Sequence, residues 1–190
     1  MNPRRRPLLA GLVALATATA GCATSGATDG RPTTQAQADQ QATTQADPQA
    51  TAQTQADRQA EIETRSRQVM PFDLERTTHR FTKTGTGGEQ TVTAKDPTDA
   101  QQVTLIRGHL SEEVKRFGQG DFGDPASIHG GEMPGLRELA AGHDRIDVRY
   151  TEATAGARIT YTTSDASLIK ALHAWFDAQV SDHGRHAEHG

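Results

Sequence analysis

The sequence predicts an α+β domain in which two β-hairpins form an antiparallel sheet, packed by two main helices and short helical turns. Three observations carry this expectation. Two pairs of β-rich, partly alternating segments each flank a glycine-bearing turn. Two longer segments repeat apolar residues at three- and four-residue spacing. The order hairpin, helix, short helices, hairpin, helix packs most economically as one antiparallel sheet with helices on a single face.

The first hairpin is expected from residues 78–84 and 89–95, joined by the turn Gly85, Thr86, Gly87, Gly88. Asp96 and Pro97 then supply a cap and a first helical residue. Val103, Ile106, Leu110, Val114 and Phe117 form one face of the helix that follows, and Gly118 and Gly120 end it. Asp124 and Pro125 repeat the cap-then-proline signal for one or two turns through Ile128. Met133, Pro134 and Gly135 open another short helix, with Leu136 and Leu139 inward and Gly142 as its stop. Residues 145–150 and 158–163 alternate well and pair about Ala155 and Gly156. Ser164 or Asp165 caps the last helix, whose wide stripe is Leu168, Ile169, Leu172, Trp175, Phe176 and Val180.

Upstream of this domain the chain changes character. Arg4, Arg5 and Arg6 precede a short run of apolar and small residues. That run suits a signal peptide and falls short of the ~20 residues that span a bilayer. It ends at Cys22, the single cysteine of the 190 residues. Residues 1–21 with Cys22 resemble a bacterial lipoprotein signal, which implies acylation (palmitate among the chains) at Cys22 and membrane anchoring. Thr19 stands where that pattern has leucine. Ala23 after the cysteine resembles outer-membrane sorting, so the expected place is the outer membrane or periplasmic face if the cell is Gram-negative, and the outer face of the plasma membrane if it is Gram-positive.

Residues 22–67 are expected to be a tether. Three imperfect copies of a Thr-Ala-Gln-Asp unit fill 33–60, without an aromatic or a large aliphatic side chain. Such a stretch buries too little area to offset ~1–2 kcal/mol of backbone entropy per residue. Disorder is expected there; a nascent helix is the competing reading, with 57–68 its best part. The domain is placed at 68–184 and a histidine-containing tail at 185–190. The net charge of −4 gives no reason to expect nucleic acid as a partner.

All eight histidines lie after residue 78. His129 and Met133 share a glycine-rich loop, an imidazole and a thioether that suit copper. His109 with Glu113, and His173 with Asp177, are i,i+4 pairs in which the carboxylate can orient the imidazole. His109, His129, Met133 and His173 are therefore the candidate metal ligands, with Glu113 and Asp177 as orienting groups and copper, zinc or haem as possible cofactors. His183, His186 and His189 at three-residue spacing are expected to chelate metal weakly on a frayed tail. A hydrolase using His173 and Asp177 is a further reading. No strained nucleophile turn, zinc-protease helix or phosphate loop accompanies it, so no catalytic residue is assigned.

The segments Met-Pro-Phe-Asp-Leu (70–74), Leu-Ile-Arg-Gly-His-Leu (105–110), Gly-Asp-Phe-Gly-Asp-Pro-Ala (120–126) and Leu-His-Ala-Trp-Phe-Asp-Ala-Gln (172–179) resemble a group of short exported bacterial proteins. Some of these carry the label aspartate carbamoyltransferase. This chain lacks the Ser-Thr-Arg-Thr phosphate loop, the His-Pro-Thr segment and the two-domain length of that enzyme family, so none of its catalytic residues is carried over. The expected function is accessory binding by an anchored envelope lipoprotein. The alternative is a structural or protein-interaction lipoprotein without a ligand.

Overall fold

The computed structural model describes residues 48–190. The signal peptide, Cys22 and the first part of the expected tether lie outside the described residues.

Five strands form one mixed sheet. β1 (Thr77–Thr84) and β2 (Gly87–Ala94) make the first hairpin; β3 (Asp147–Ala153) and β4 (Gly156–Thr162) make the second. β2 pairs antiparallel with β4 and joins the two hairpins, giving the order β3-β4-β2-β1-β5, where β5 is Ala187–His189. Alternation decides which face is covered. Phe81, Val92, Ile159 and Tyr161 point inward and are buried, while threonines and charged residues take the outward positions.

The inward face is covered by α2 (Ala100–Phe117), lying over β2, β3 and β4, and α5 (Ala166–His183), lying over β1 and β2. Trp175 and Phe176 of α5 sit at the centre with Phe81, Phe117, Phe122 and Tyr161 packed around them. Edge-to-face rings of this kind add about 0.5–1.5 kcal/mol per pair beyond the area they bury. The α+β architecture is as the hydrophobic pattern predicts.

Helix ends differ in detail from the expected ones. α2 is capped by Asp99, whose carboxylate accepts from the Gln102 N–H; Asp96 instead accepts from the Thr98 N–H and hydroxyl in the preceding turn. Asp96 closes a turn on Thr98 and Asp99 takes over the cap, so the helix starts at Ala100, three residues later than Pro97 suggests. Asp165 caps α5 as expected. α3 (Gly123–His129) and α4 (Leu136–Ala141) are the short helices. Gly135 enters α4 with φ +78°, and a Cβ there would lie 2.0 Å from the Ala171 carbonyl oxygen of α5. Only glycine permits that approach.

Two expectations are corrected at the ends of the chain. Residues 48–67 of the expected tether belong to a helix, as the competing reading had it for 57–68: α1 (Pro48–Val69) packs against α3 and α5. Ala, Gln, Glu and Arg are strong helix formers, and Pro48 suits the first position. α1 buries one large apolar side chain, Ile62 at 1 % exposure, and is otherwise held by polar contacts. Gln55 and Gln59 donate to the Ser181 carbonyl, and Arg65 donates to the Ile128 carbonyl. A chain held this way shows no apolar stripe, hence the misreading. The expected tail is also structured. Residues Gly184–His186 form a 3-10 turn, and β5 (Ala187–His189) adds to β1 in parallel.

Candidate functional site

Two helices, a short helix and a strand converge at one end of the core. His109 and Glu113 lie one turn apart on α2, Asp124 is in the first turn of α3, and His79 comes from the inward side of β1. Gln179 and His183 face them from α5. Between them is a cavity of about 30 Å³. A water needs ~10–15 Å³ measured this way, so the space suits one or two waters or an ion. It does not hold a haem, which removes that cofactor from this site.

The lining is polar. Among the described residues, Nδ1 of His79, Nε1 of Trp175 and Oε1 of Gln179 are buried without a protein hydrogen-bond partner. Each such atom costs about 1–3 kcal/mol unless a water, ion or ligand satisfies it. Three of them around one small cavity mark a place built to hold something polar.

His109, Glu113 and Asp124 place one ligand atom each within 4.8 Å of one another. Glu113 is 5 % exposed. Burial, and then its hydrogen bond to Asp124, push its carboxyl up to about 8. At neutral pH it therefore keeps its proton and donates it to Asp124. Arg116 opposes the shift only weakly, 3.6 Å from Glu113, because its guanidinium is committed to Asp124 at 2.5 Å and Asp121 at 2.8 Å. Burial lowers the pKa of His109 and favours its neutral, ligating form.

A second polar layer lies beside this cluster. His129 Nδ1 is 2.8 Å from Asp182 Oδ2, and Arg58 of α1 donates to both oxygens of the same carboxylate at 2.6 Å. Burial opposes ionisation of Asp182, but the hydrogen bonds from His129 and Arg58 outweigh it and hold its pKa at about 2. An ionised carboxylate only accepts, so the His129 proton sits on Nδ1. His79 and His183 stack in parallel, and His183 meets His129 edge-on at 4.9 Å. Burial drives His79 down to about 4 and His183 well below its usual range.

The four residues expected to act together do not converge. His109 and His129 line the same cavity. Met133 is packed in the apolar core, so the thioether-imidazole pair for copper is not formed. His173 lies away from the cavity, its Nε2 donating to the carbonyls of Gly87 at 2.9 Å and Thr84 at 3.2 Å. It straps α5 to the first hairpin. Asp177 does not orient it; it is exposed and pairs with Lys83. Glu113 does accompany His109 as the i,i+4 spacing predicts, but through Asp124 it is part of the ligand set itself.

Sequence reasoning missed Asp124 as a site residue; it noted Gln179, Asp182 and His183 at the end of the last helix as groups a hydrolase could use and set them aside, with His79 and His186. Asp124 reads as a helix cap and His183 as a tail residue. The available signal was alternation on β1, which puts His79 inward between Thr77 and Phe81. No family model, no curated protein and no solved structure matches this chain, so the geometry alone carries the functional reading.

Proposed function

We propose that this chain is an envelope lipoprotein, acylated at Cys22, whose domain binds a divalent transition-metal ion between His109, Glu113 and Asp124. One observation carries the metal reading. An imidazole and two carboxyl groups meet within 4.8 Å beside a small cavity lined by orphaned polar atoms. Mixed nitrogen and oxygen donors suit zinc or a similar borderline ion better than copper(I), which prefers sulfur. The cation takes the place of the Glu113 proton, so binding tightens as pH rises toward 8. A cavity of about 30 Å³ has room for an ion and its water and none for an organic substrate, which favours binding over turnover.

The anchoring part rests on residues 4–22. Among the described residues no helix is long and apolar enough to cross a membrane. Labelled palmitate entering the wild-type protein but not Cys22→Ser is the expected result, and equal labelling would reject acylation at that residue.

Calorimetric titration of the full chain with Zn²⁺, Mn²⁺ and Cu²⁺ tests the metal part. A stoichiometric site lost in both His109→Gln and Glu113→Gln is expected. Unchanged binding in both variants would overturn the assignment. The second reading, a structural lipoprotein without ligand, is favoured by Arg116, which already neutralises Asp124 from within the protein. The same titration separates the two.

A further inference from the structure

We propose that Glu63, Glu75 and His186 form a second divalent-cation site, of the zinc class, that staples α1 to the rest of the domain. This site is independent of the interior cluster and shares no ligand with it.

The three residues come from three separate pieces of chain. Glu63 is on α1, Glu75 is in the 3-10 turn Leu74–Arg76, and His186 is in the 3-10 turn Gly184–His186. Their ligand atoms all lie within 4.8 Å of one another. His186 Nε2 is 3.5 Å from Glu75 Oε1. Two ligands on a tetrahedral ion with bonds of ~2.1 Å lie ~3.4 Å apart, so this edge already has the spacing zinc requires.

A cluster of acids would not by itself mark a site. The second observation is the imidazole. His186 is 4 % exposed, and both of its ring nitrogens are buried without a hydrogen-bond partner in the protein. It lines a cavity of about 210 Å³ together with Glu63, Gln59 and Asp182. Its Nε2 is directed at the Glu75 carboxylate, inside the cluster. Burial also lowers its pKa, against the pull of Glu75, and keeps it in the neutral form that binds metal.

The competing partners are weak. Arg67 pairs with Glu63 and Arg185 with Glu75, and the two arginine side chains are 67 % and 68 % exposed. Exposed ion pairs of this kind contribute little and exchange readily for a metal bond. The consequence follows from how α1 is held. One buried isoleucine and a few polar contacts fix it, so a bond from Glu63 to an ion shared with the domain would add the grip that apolar burial does not supply. The ion would control how firmly the helix nearest the N-terminal segment stays docked.

Hydrogen exchange of α1 amides in the full chain, with and without Zn²⁺, is the test. At Zn²⁺ about ten times its Kd for the site, protection of the α1 amides should rise about tenfold. Glu63→Gln, a partly exposed position on α1, should abolish the gain without unfolding the domain, and Glu75→Gln should do the same. Glu113→Gln should keep it, which distinguishes this site from the interior one. No gain in the wild type, or an undiminished gain in Glu63→Gln, overturns the proposal.

Discussion

His79 on β1 and His183 at the end of α5 lie in planes 3° apart with ring centroids separated by 5.3 Å. Both are buried, and neither has room to carry charge beside the other. His129 and His186 act electrostatically on both rings, His109 on His79 and Asp182 on His183. An imidazole stack of this kind is stable only while it is neutral.

That relationship predicts acid sensitivity well above the carboxylate range. The folded-state pKa of His79, about 4, is below its unfolded value of 6.5. Between these values the unfolded chain binds more protons, so stability is lost as pH falls from 6.5 toward 4. His183, His186 and His109 are shifted in the same direction and add to the slope. The melting temperature should therefore drop steeply between pH 6.5 and 4.5. A melting temperature that stays level over this range would show that the buried imidazoles do not titrate as the packing requires.

Glu113 works in the opposite direction. Its pKa is raised from 4.5 to about 8, so the folded state holds the extra proton and stability declines as pH rises through that window. Glu113→Gln keeps a donor toward Asp124 and cannot ionise. The variant should match the wild type near pH 5 and exceed it by about 1–3 kcal/mol above pH 8. Urea unfolding at both pH values measures this. A variant equally destabilised at the two values would mean that the proton on Glu113 is not what the site stores.

Much of the fold was legible because hydrophobic burial writes itself into sequence as a period. The α5 stripe of Leu168, Leu172, Trp175 and Phe176, the face of α2 around Ile106 and Leu110, and the alternation of β1 to β4 all follow that rule. α1 escaped it because Ile62 is its one large buried side chain, and β5 because three residues after Gly184 carry no period. The site was half legible. His109 and Glu113 are i,i+4 neighbours and could be paired on paper; Asp124 joins them only through the way α3 packs. His129 finds Asp182 across 53 residues, which no local pattern reports.

Gly135 offers a test of the packing that positions α3 and α4. A methyl group there would meet the Ala171 carbonyl at 2.0 Å, and the backbone is already at φ +78°. Steric overlap and a left-handed conformation then act together. Gly135→Ala should lower stability by about 2–4 kcal/mol, more than left-handed strain alone, which costs about 1–2 kcal/mol. Gly131→Ala, where the added methyl meets nothing within 4 Å, is the matched control. Chemical denaturation of the two variants should separate them clearly; equal midpoints would mean that α4 and α5 are not in the contact described.

The ion pair between Arg58 and Asp182 predicts an asymmetry that a surface salt bridge would not show. The Arg58 side chain is 46 % exposed and Asp182 is 6 % exposed. Removing Arg58 leaves Asp182 still hydrogen-bonded to His129, and the lost pair is partly screened by water. Arg58→Ala should cost about 1 kcal/mol and free α1 to exchange its amides faster. Removing Asp182 leaves the half-exposed Arg58 to water but strands the buried Nδ1 proton of His129. Asp182→Ala should therefore cost about 3–5 kcal/mol, the range for breaking one side of a buried pair. Adding His129→Ala to Asp182→Ala should cost less than the two single changes summed, since the stranded donor is gone. Strict additivity in that cycle, measured by urea unfolding at pH 7, would show that Asp182 and His129 are neighbours without being partners.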